Sequence, residues 1–268
     1  MAASTRHFWW GDFPASAFAR IDAEKTIAVL PVAAIEQHGP HLPLSTDADI
    51  MQGMLGEVFA HLPTNLDVRV LPIQAIGKSD EHIRHAGTLT IAPAALINAW
   101  TDIGASAARA GIRKLVIVNS HGGNEDVIGI VSRELRIRFD MFCVKTSWSK
   151  FGCPGGLFSA DELRLGIHGG DLETSLMLHF RPDLVDMKKA KNFVSATAKA
   201  DRMFKHLKPQ NPHAFAWLAT DLNPAGVVGD AGIATAAKGA QTAIFQAHGF
   251  VELLTDIRKA KLADWIRK

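Results

Sequence analysis

Short, almost unbroken apolar runs punctuate the chain at four places: "TIAVLPVAA" (26–34), "VRVLPIQAIG" (68–77), "KLVIVNS" (114–120) and "MFCVKTSW" (141–148). Each is rich in β-branched or aliphatic residues and bounded by turn formers, the pattern of a strand covered on both faces in a parallel sheet. The stretches between them read as helices. "DADIMQGMLGEVFAHL" (47–62) precedes the second run. "APAALINAWTDIGASAARAG" (92–111) precedes the third, with Pro93 near its start and Gly111 at its end, and "NEDVIGIVSRELRIRF" (124–139) precedes the fourth. Such alternation predicts a layered α/β fold, and right-handed crossovers would place helices on both faces of the sheet. Further helices are expected at 171–180 and 229–260, the second with internal glycines that invite a break. Residues 149–166 and 200–228, rich in Gly, Pro and polar groups, predict long loops of the kind that cover sites in α/β enzymes. No repeat or boundary divides the 268 residues, so a single domain over 1–268 is expected.

Composition narrows the class of partner. Hydrophobic residues make up 47% and charged residues 21%, ordinary for a globular protein, and the formal net charge of +2 implies no strong field toward nucleic acid or membrane. "MKKAKN" at 187–192 is too short to change that. Only two cysteines, Cys143 and Cys153, are present, which fits a reducing compartment. The N-terminal "MAASTRHFWWGDFPASAF" lacks the layout of a signal peptide, and no run approaches the ~18 apolar residues of a membrane helix. The expectation is a cytoplasmic protein acting on a small molecule, with no nucleic acid and no membrane.

The end of the first apolar run does not fit that bland picture. "LPVAAIEQHGPHLPLSTDADI" (30–50) places Glu36, His38, His41, Asp47 and Asp49 directly behind a segment that reads as buried. Charged groups beside a core need compensation. Ligands of an open α/β sheet bind beyond the carboxyl ends of its strands. Glu36 and His38 follow the first strand and His121 follows the third in "VNSHGGN", so the three converge if those strands are neighbours. Asp47 precedes a helix and Glu173 lies early in another, in "GIHGGDLETS" (166–175); helix capping is the ordinary use of either. Together Glu36, His38, Asp47, His121 and Glu173 mix imidazole and carboxylate, a set suited to Zn²⁺, Mn²⁺ or Fe²⁺. A carboxylate such as Asp47 can bridge two ions, and metal charge would then compensate the acids.

These residues carry a resemblance. The stretch from Leu30 to Ile50 resembles the signature of the creatininase family of metal-dependent amidohydrolases, and "SDEHIRHAGTLT" (79–90), "VNSHGGN" (118–124), "HGGDLETSLMLHFRPDLV" (168–185) and "GVVGDAGIATAAKG" (226–239) are similar to further family segments. The resemblance implies a three-layer α/β/α fold with a mostly parallel central sheet. It also implies a dinuclear metal centre and hydrolysis of a C–N bond in a cyclic amide or formamide by a metal-bound hydroxide. Homo-oligomers are implied too, a hexamer assembled from dimers being one known form. By position, Glu36, Asp47 and His121 resemble the ligands of one ion, and His38 and Asp47 those of the second. His168 matches a position linked to proton transfer.

One departure matters. Creatinine-hydrolysing members carry a Glu two residues after the histidine that matches His121, and an aromatic between; here these positions are Gly123 and Gly122. Glu173 is the candidate replacement as ligand, with proton transfer as its other possible role, and creatinine becomes doubtful as substrate. The alternatives are a lactone or cyclic-ketone hydrolase built on the same centre, or a metal-binding oligomer without activity. Among the remaining side chains, His41 is expected behind the ligands and His82 either lining the site or on a surface loop. Trp148 reads as core or substrate platform, and Trp9 and Trp10 as packing on the domain or a neighbouring subunit. "HGGD" and "HGGN" lack any nucleotide-binding glycine pattern.

Overall fold

Burial follows the hydropathy pattern strand by strand. The structure, a computed structural model, describes residues 6–210 and 213–266; the first five residues of the N-terminal segment and residues 211–212 of the second expected loop lie outside the described residues. Strands β1 (Thr26–Val32), β2 (Asp67–Val70), β3 (Lys114–Asn119) and β4 (Phe142–Ser147) form a parallel sheet in the order β2-β1-β3-β4. Val29 pairs with Val70 on one side and Val116 on the other, and Val116 pairs with Val144.

Helices α1 (Thr46–His61), α5 (Asp171–Phe180) and α8 (Ala236–Lys259) pack on one face against Ile27, Val29, Val116 and Val118. Helices α2 (Pro93–Arg109) and α3 (Glu125–Phe139) pack on the other against Ala28, Leu30, Leu115 and Ile117. Alternate residues of one strand therefore feed two cores, and the fold is the expected three-layer α/β/α arrangement. The short helices α4 (Ala160–Leu165), α6 (Thr197–Met203), α7 (Ala219–Leu222) and α9 (Leu262–Trp265) lie outside these layers.

The strand order decides where a site can form. From β1 the chain crosses through α1 to β2 on one side, then returns through α2 past β1 to β3 on the other. Direction reverses between β1 and β3, which opens a crevice at their carboxyl ends. β1 and β3 are neighbours, as convergence of Glu36, His38 and His121 requires.

Several boundaries differ from the sequence reading. The second strand was expected over 68–77 but ends at Val70. Past that point only separate bonds tie the segment to β1: Leu71 N–H to the Val29 carbonyl, then Gln74 N–H to the Pro31 carbonyl, both 2.9 Å. Pro72 and Pro31 lack an N–H, so no regular ladder can continue there. The helix expected over 229–260 begins at Ala236, with Thr235 Oγ1 accepting from Lys238 N–H at its start. Residues before it serve differently: Gly229–Asp230 forms β6, antiparallel to β5 (Asn192–Phe193), and Ala231–Ile233 is a single 3₁₀ turn. The expected loop 149–166 contains α4, capped by Ser159 Oγ accepting from Glu162 N–H at 3.0 Å, and 200–228 contains the end of α6 and all of α7. Trp148 is core, edge-on to Phe250 at 5.1 Å. Trp9 and Trp10 pack against the two cores. Among the described residues no helix is long and apolar enough to cross a membrane.

Two glycines set the spacing of the α1–α5–α8 layer. A Cβ on Gly239 would land on the Ser175 carbonyl of α5, and one on Gly53 of α1 would fall inside the Phe180 ring. Gly→Ala in a helix ordinarily stabilises by up to about 1 kcal/mol. Gly239→Ala is expected to do the reverse, costing about 1–3 kcal/mol because α8 cannot approach α5 without displacing it. Urea denaturation of the two proteins, compared at the midpoint with the slope unchanged, checks this.

Candidate metal centre

Rigid elements deliver each candidate ligand to the β1–β3 crevice. Glu36 lies just past β1, where its N–H donates to the Leu44 carbonyl (2.9 Å) and folds residues 36–44 back across the strand end. His38 sits on that fold. Asp47 opens α1 and Glu173 lies in the first turn of α5, so both carboxylates occupy helix N-termini, where the helix dipole favours negative charge. His121 leaves β3 just before the 3₁₀ turn Gly122–Asn124. Asn119 and Asn124 brace that turn: Asn119 Nδ2 donates to the His121 carbonyl (2.6 Å), His121 N–H donates to Asn119 Oδ1 (3.1 Å), and Asn124 Nδ2 donates to the Ala33 carbonyl (3.0 Å).

The structure brings all five side chains together. Ligand atoms of Glu36, Asp47 and His121 lie within 4.8 Å of one another, and so do those of His38, Asp47 and Glu173. Asp47 belongs to both groups. A third group of the same compactness joins Glu36, His38 and His168. Individual separations are 3.2 Å for His121 Nδ1 to Glu36 Oε1, 3.3 Å for His121 Nδ1 to Asp47 Oδ2, 3.6 Å for His38 Nε2 to Asp47 Oδ1 and 3.8 Å for His38 Nε2 to Glu173 Oε2. Tetrahedral coordination with bonds of about 2.1 Å implies ligand–ligand edges of roughly 3.4 Å, which these distances bracket.

Hydrogen bonding supports the same reading. His121 Nε2 lies 2.7 Å from the Lys78 carbonyl and His38 Nδ1 lies 3.1 Å from the Glu36 carbonyl. A carbonyl only accepts, so each of these nitrogens carries a proton. In a neutral imidazole the opposite nitrogen then presents a lone pair, and that nitrogen is the one facing the carboxylates. Both oxygens of Glu36, Oδ2 of Asp47 and Nε2 of His38 are buried with no hydrogen-bond partner. Convergent, buried, unpaired lone pairs on nitrogen and oxygen are what a divalent cation satisfies, so the donor set fits a metal ion.

Electrostatics shows how the same groups balance through protons alone. Burial opposes charging His38, but Asp47, then Glu173 and Glu36, outweigh it and raise its pKa to about 9. His121 is likewise raised well above the usual imidazole value, against burial, by Glu36 and Asp47. Burial pushes Glu173 up to about 7. His168 goes the other way: burial, with the charge of His38 and His82, holds it well below its ordinary value, and it stays neutral. Its Nε2 donates to the Gln37 carbonyl at 2.7 Å, which leaves Nδ1 unprotonated and 3.7 Å from Glu36 Oε1.

Other residues sort themselves around this centre. Asp47 makes no side-chain cap of α1. Glu173 Oε2 accepts from Gly169 N–H at 2.6 Å, and Gly169 has φ +67° in the His168–Asp171 turn, a conformation that suits glycine. His41 is buried behind the site, its Nε2 3.1 Å from the Gly169 carbonyl and 3.0 Å from Thr174 Oγ1. His82 is buried, not on the surface, with Nε2 3.4 Å from Glu36 Oε1. Glu81, 3.7 Å from His121 Nε2, and Gln37 escaped the sequence reading; Gln37 lies between two ligands, but its partners are far away in the chain. A surface groove of about 810 Å³ along α8 holds none of these residues.

Comparison with known proteins agrees with this geometry. The profile of the creatininase family, described as creatinine amidohydrolase, matches residues 12–254. A mycofactocin precursor peptide peptidase of Mycobacterium tuberculosis (strain CDC 1551 / Oshkosh) is 30% identical over 239 residues, covering 85% of this chain and 84% of that protein. A creatinine amidohydrolase of Pseudomonas putida is 32% identical over 195 residues, covering 67% and 74%. Among solved structures, a creatininase in its Mn form matches with a TM-score of 0.75 at 25% identity, covering 94% of this chain and 98% of that one. A Zn–Zn form of a creatininase variant matches with a TM-score of 0.74 at 25% identity, with the same coverage.

The two glycines after His121 differ in kind. A Cβ on Gly123 would strike the Lys78 carbonyl and the Glu81 carboxylate, whereas nothing lies within 4 Å of one on Gly122. The space that a side chain at 123 would need is already occupied. Gly122→Ala is therefore expected to leave stability within about 0.5 kcal/mol, and Gly123→Ala to cost about 1–3 kcal/mol. Paired thermal or urea unfolding measures both.

Proposed function

Because the chain belongs to the creatininase family, whose members are metal-dependent hydrolases, we propose that it cleaves an amide C–N bond of a small molecule, a cyclic amide or a formamide, using two divalent ions. Glu36, Asp47 and His121 would hold one ion, and His38, Asp47 and Glu173 the other. The observation that carries this reading is the sharing of Asp47 between two compact ligand groups, with Glu173 completing the second beside His38. Zn²⁺ or Mn²⁺ suits the mixed donors. Such a pair of ions, when bound, supplies an activated water and polarises the substrate carbonyl.

The chain's own groups supply the rest. His168 is neutral, its Nε2–H is tied to the Gln37 carbonyl, and its Nδ1 lone pair faces the centre. That nitrogen can accept a proton as the nucleophile attacks and return it to the departing nitrogen. Burial of Glu36, His38 and Asp47 keeps bulk water from the ligands, while Glu173, with 23% of its side chain exposed, marks the side from which substrate enters. The open space at Gly122 favours a second reading of the substrate: an amide within a longer, peptide-like molecule, in keeping with the relatives named as peptidases.

Elemental analysis of protein purified without chelator or immobilised metal tests the centre. About two ions per chain are expected for the native protein, about one for Glu173→Gln and fewer than one for Asp47→Ala. Full turnover by a metal-free Asp47→Ala protein would sink the reading. A panel of creatinine, hydantoin, formamides and short peptide amides then separates the two substrate classes.

Loading is also expected to depend on pH with a defined sign. His38 holds a proton below about pH 9 in the metal-free protein, and His121 is also raised well above the usual imidazole value, so an incoming ion must displace protons. Apparent affinity for Zn²⁺ should rise with pH through the neutral range toward about 9. Proton release into a dye-containing weak buffer reports this directly.

A further inference from the structure

Three imidazole nitrogens surround Oε1 of Glu36: His121 Nδ1 at 3.2 Å, His82 Nε2 at 3.4 Å and His168 Nδ1 at 3.7 Å. Their hydrogen bonds on the far side of each ring decide which of them can donate. His121 spends its N–H on the Lys78 carbonyl through Nε2, and His168 spends its own on the Gln37 carbonyl through Nε2. His168, and His121 once it is neutral, therefore turn a lone pair toward Glu36. His82 is the opposite case. Its Nδ1 lies 2.7 Å from the side-chain nitrogen of Gln37, an amide group that only donates. Nδ1 must accept, so the proton sits on Nε2, the nitrogen that lies 3.4 Å from Oε1 of Glu36.

Gln37 cannot be turned around to reverse this. Its Oε1 accepts from Gly39 N–H at 3.0 Å and its Nε2 donates to the Gly226 carbonyl at 2.5 Å. Exchanging the two ends would set carbonyl against carbonyl and N–H against N–H. A side chain on Gly226 would collide with the Gln37 amide, so the backbone there closes over it. The Gln37 nitrogen also lies 3.3 Å from His168 Nε2, too distant to compete with the 2.7 Å bond that nitrogen makes to the carbonyl.

We infer that Gln37 and His82 are positioning residues for the metal centre: the Gln37 amide locks His82 in the Nε2–H tautomer, and His82 then orients the Glu36 carboxylate by an N–H toward Oε1. Gln37 acts twice, since its backbone carbonyl fixes His168 in the tautomer that turns Nδ1 inward. His82 stacks on His168 with ring centroids 4.2 Å apart, and His38 lies tilted against the same His168 ring at 4.1 Å, so each ring is held by its neighbour as well. The inference rests on the metal-centre reading for its functional consequence, while the tautomer itself stands apart from it.

Partners that orient a ligand are typically worth roughly 10- to 100-fold in metal affinity. Zn²⁺ affinity, read by competition against a chromogenic chelator, should fall by about that factor in His82→Leu and stay within a few-fold of native in His82→Gln, which keeps a donor. Long-range ¹H–¹⁵N NMR of the Zn²⁺-loaded protein should place the His82 proton on Nε2, and in Gln37→Met His82 should populate both tautomers. A native His82 protonated on Nδ1, or His82→Leu binding Zn²⁺ as tightly as native, overturns the inference. If the native protein binds no divalent ion, the metal reading fails instead, and the tautomer measured on metal-free protein still decides for or against the Gln37–His82 lock. Should His82→Leu not fold, the native and Gln37→Met spectra decide alone.

Discussion

Four buried polar atoms with nothing to bond, two on Glu36 and one each on Asp47 and His38, set the terms for this molecule. Taking an ion out of water costs on the order of several kcal/mol even after the surroundings relax. A chain that gathers three carboxylates and several imidazoles in one crevice must hold them there against that cost. It does so by fixing each ligand at the end of a strand or the start of a helix, on elements that two separate cores already hold rigid. The arrangement is unfavourable by itself and becomes favourable once positive charge arrives, as protons on His38 and His121 or as metal.

Much of the framework was legible because it depends on apolar pattern. Runs such as "LVIV" in β3 have no polar residue, and a doubly covered strand accommodates that. The need for β1 and β3 to be neighbours was visible in chemistry before topology, because Glu36 and His121 serve one purpose only if they meet. Boundaries failed where backbone chemistry overrode pattern. "VRVLPIQAIG" stays apolar past Val70, yet its proline cannot extend a ladder, and "GDAGIAT" looks helical until Gly229 is seen pairing with β5.

Within the site, the clustered side chains were legible and the groups around them were not. Glu173 stood out because Gly123 left a role vacant. Gln37 and His82 were obscure for a physical reason: a buried polar side chain is explained by its partners, and those of Gln37 lie 45 and 189 residues away. No local spacing encodes such a network. The histidines illustrate it best: His38, His41, His82, His121 and His168 are all buried in and around the crevice and differ by which nitrogen a carbonyl or amide has claimed. Another histidine, His179, sits partly exposed at the far end of α5 beside Glu57.

The glycine contacts at the other end of the α-helical layer bear on ion size. Asp47 and Glu173 face each other from α1 and α5, and the gap between those helices is set by Gly53 against Phe180, while Gly239 against Ser175 seats α8 on α5. The helices act as the arms of a caliper whose hinge is a missing methyl group. Widening the hinge would open the jaws, shifting preference toward cations of larger radius without touching a single ligand. In the proposed metal centre, discrimination among ions would thus be partly a property of helix packing, and selection for a different ion could act on residues that no ion would meet.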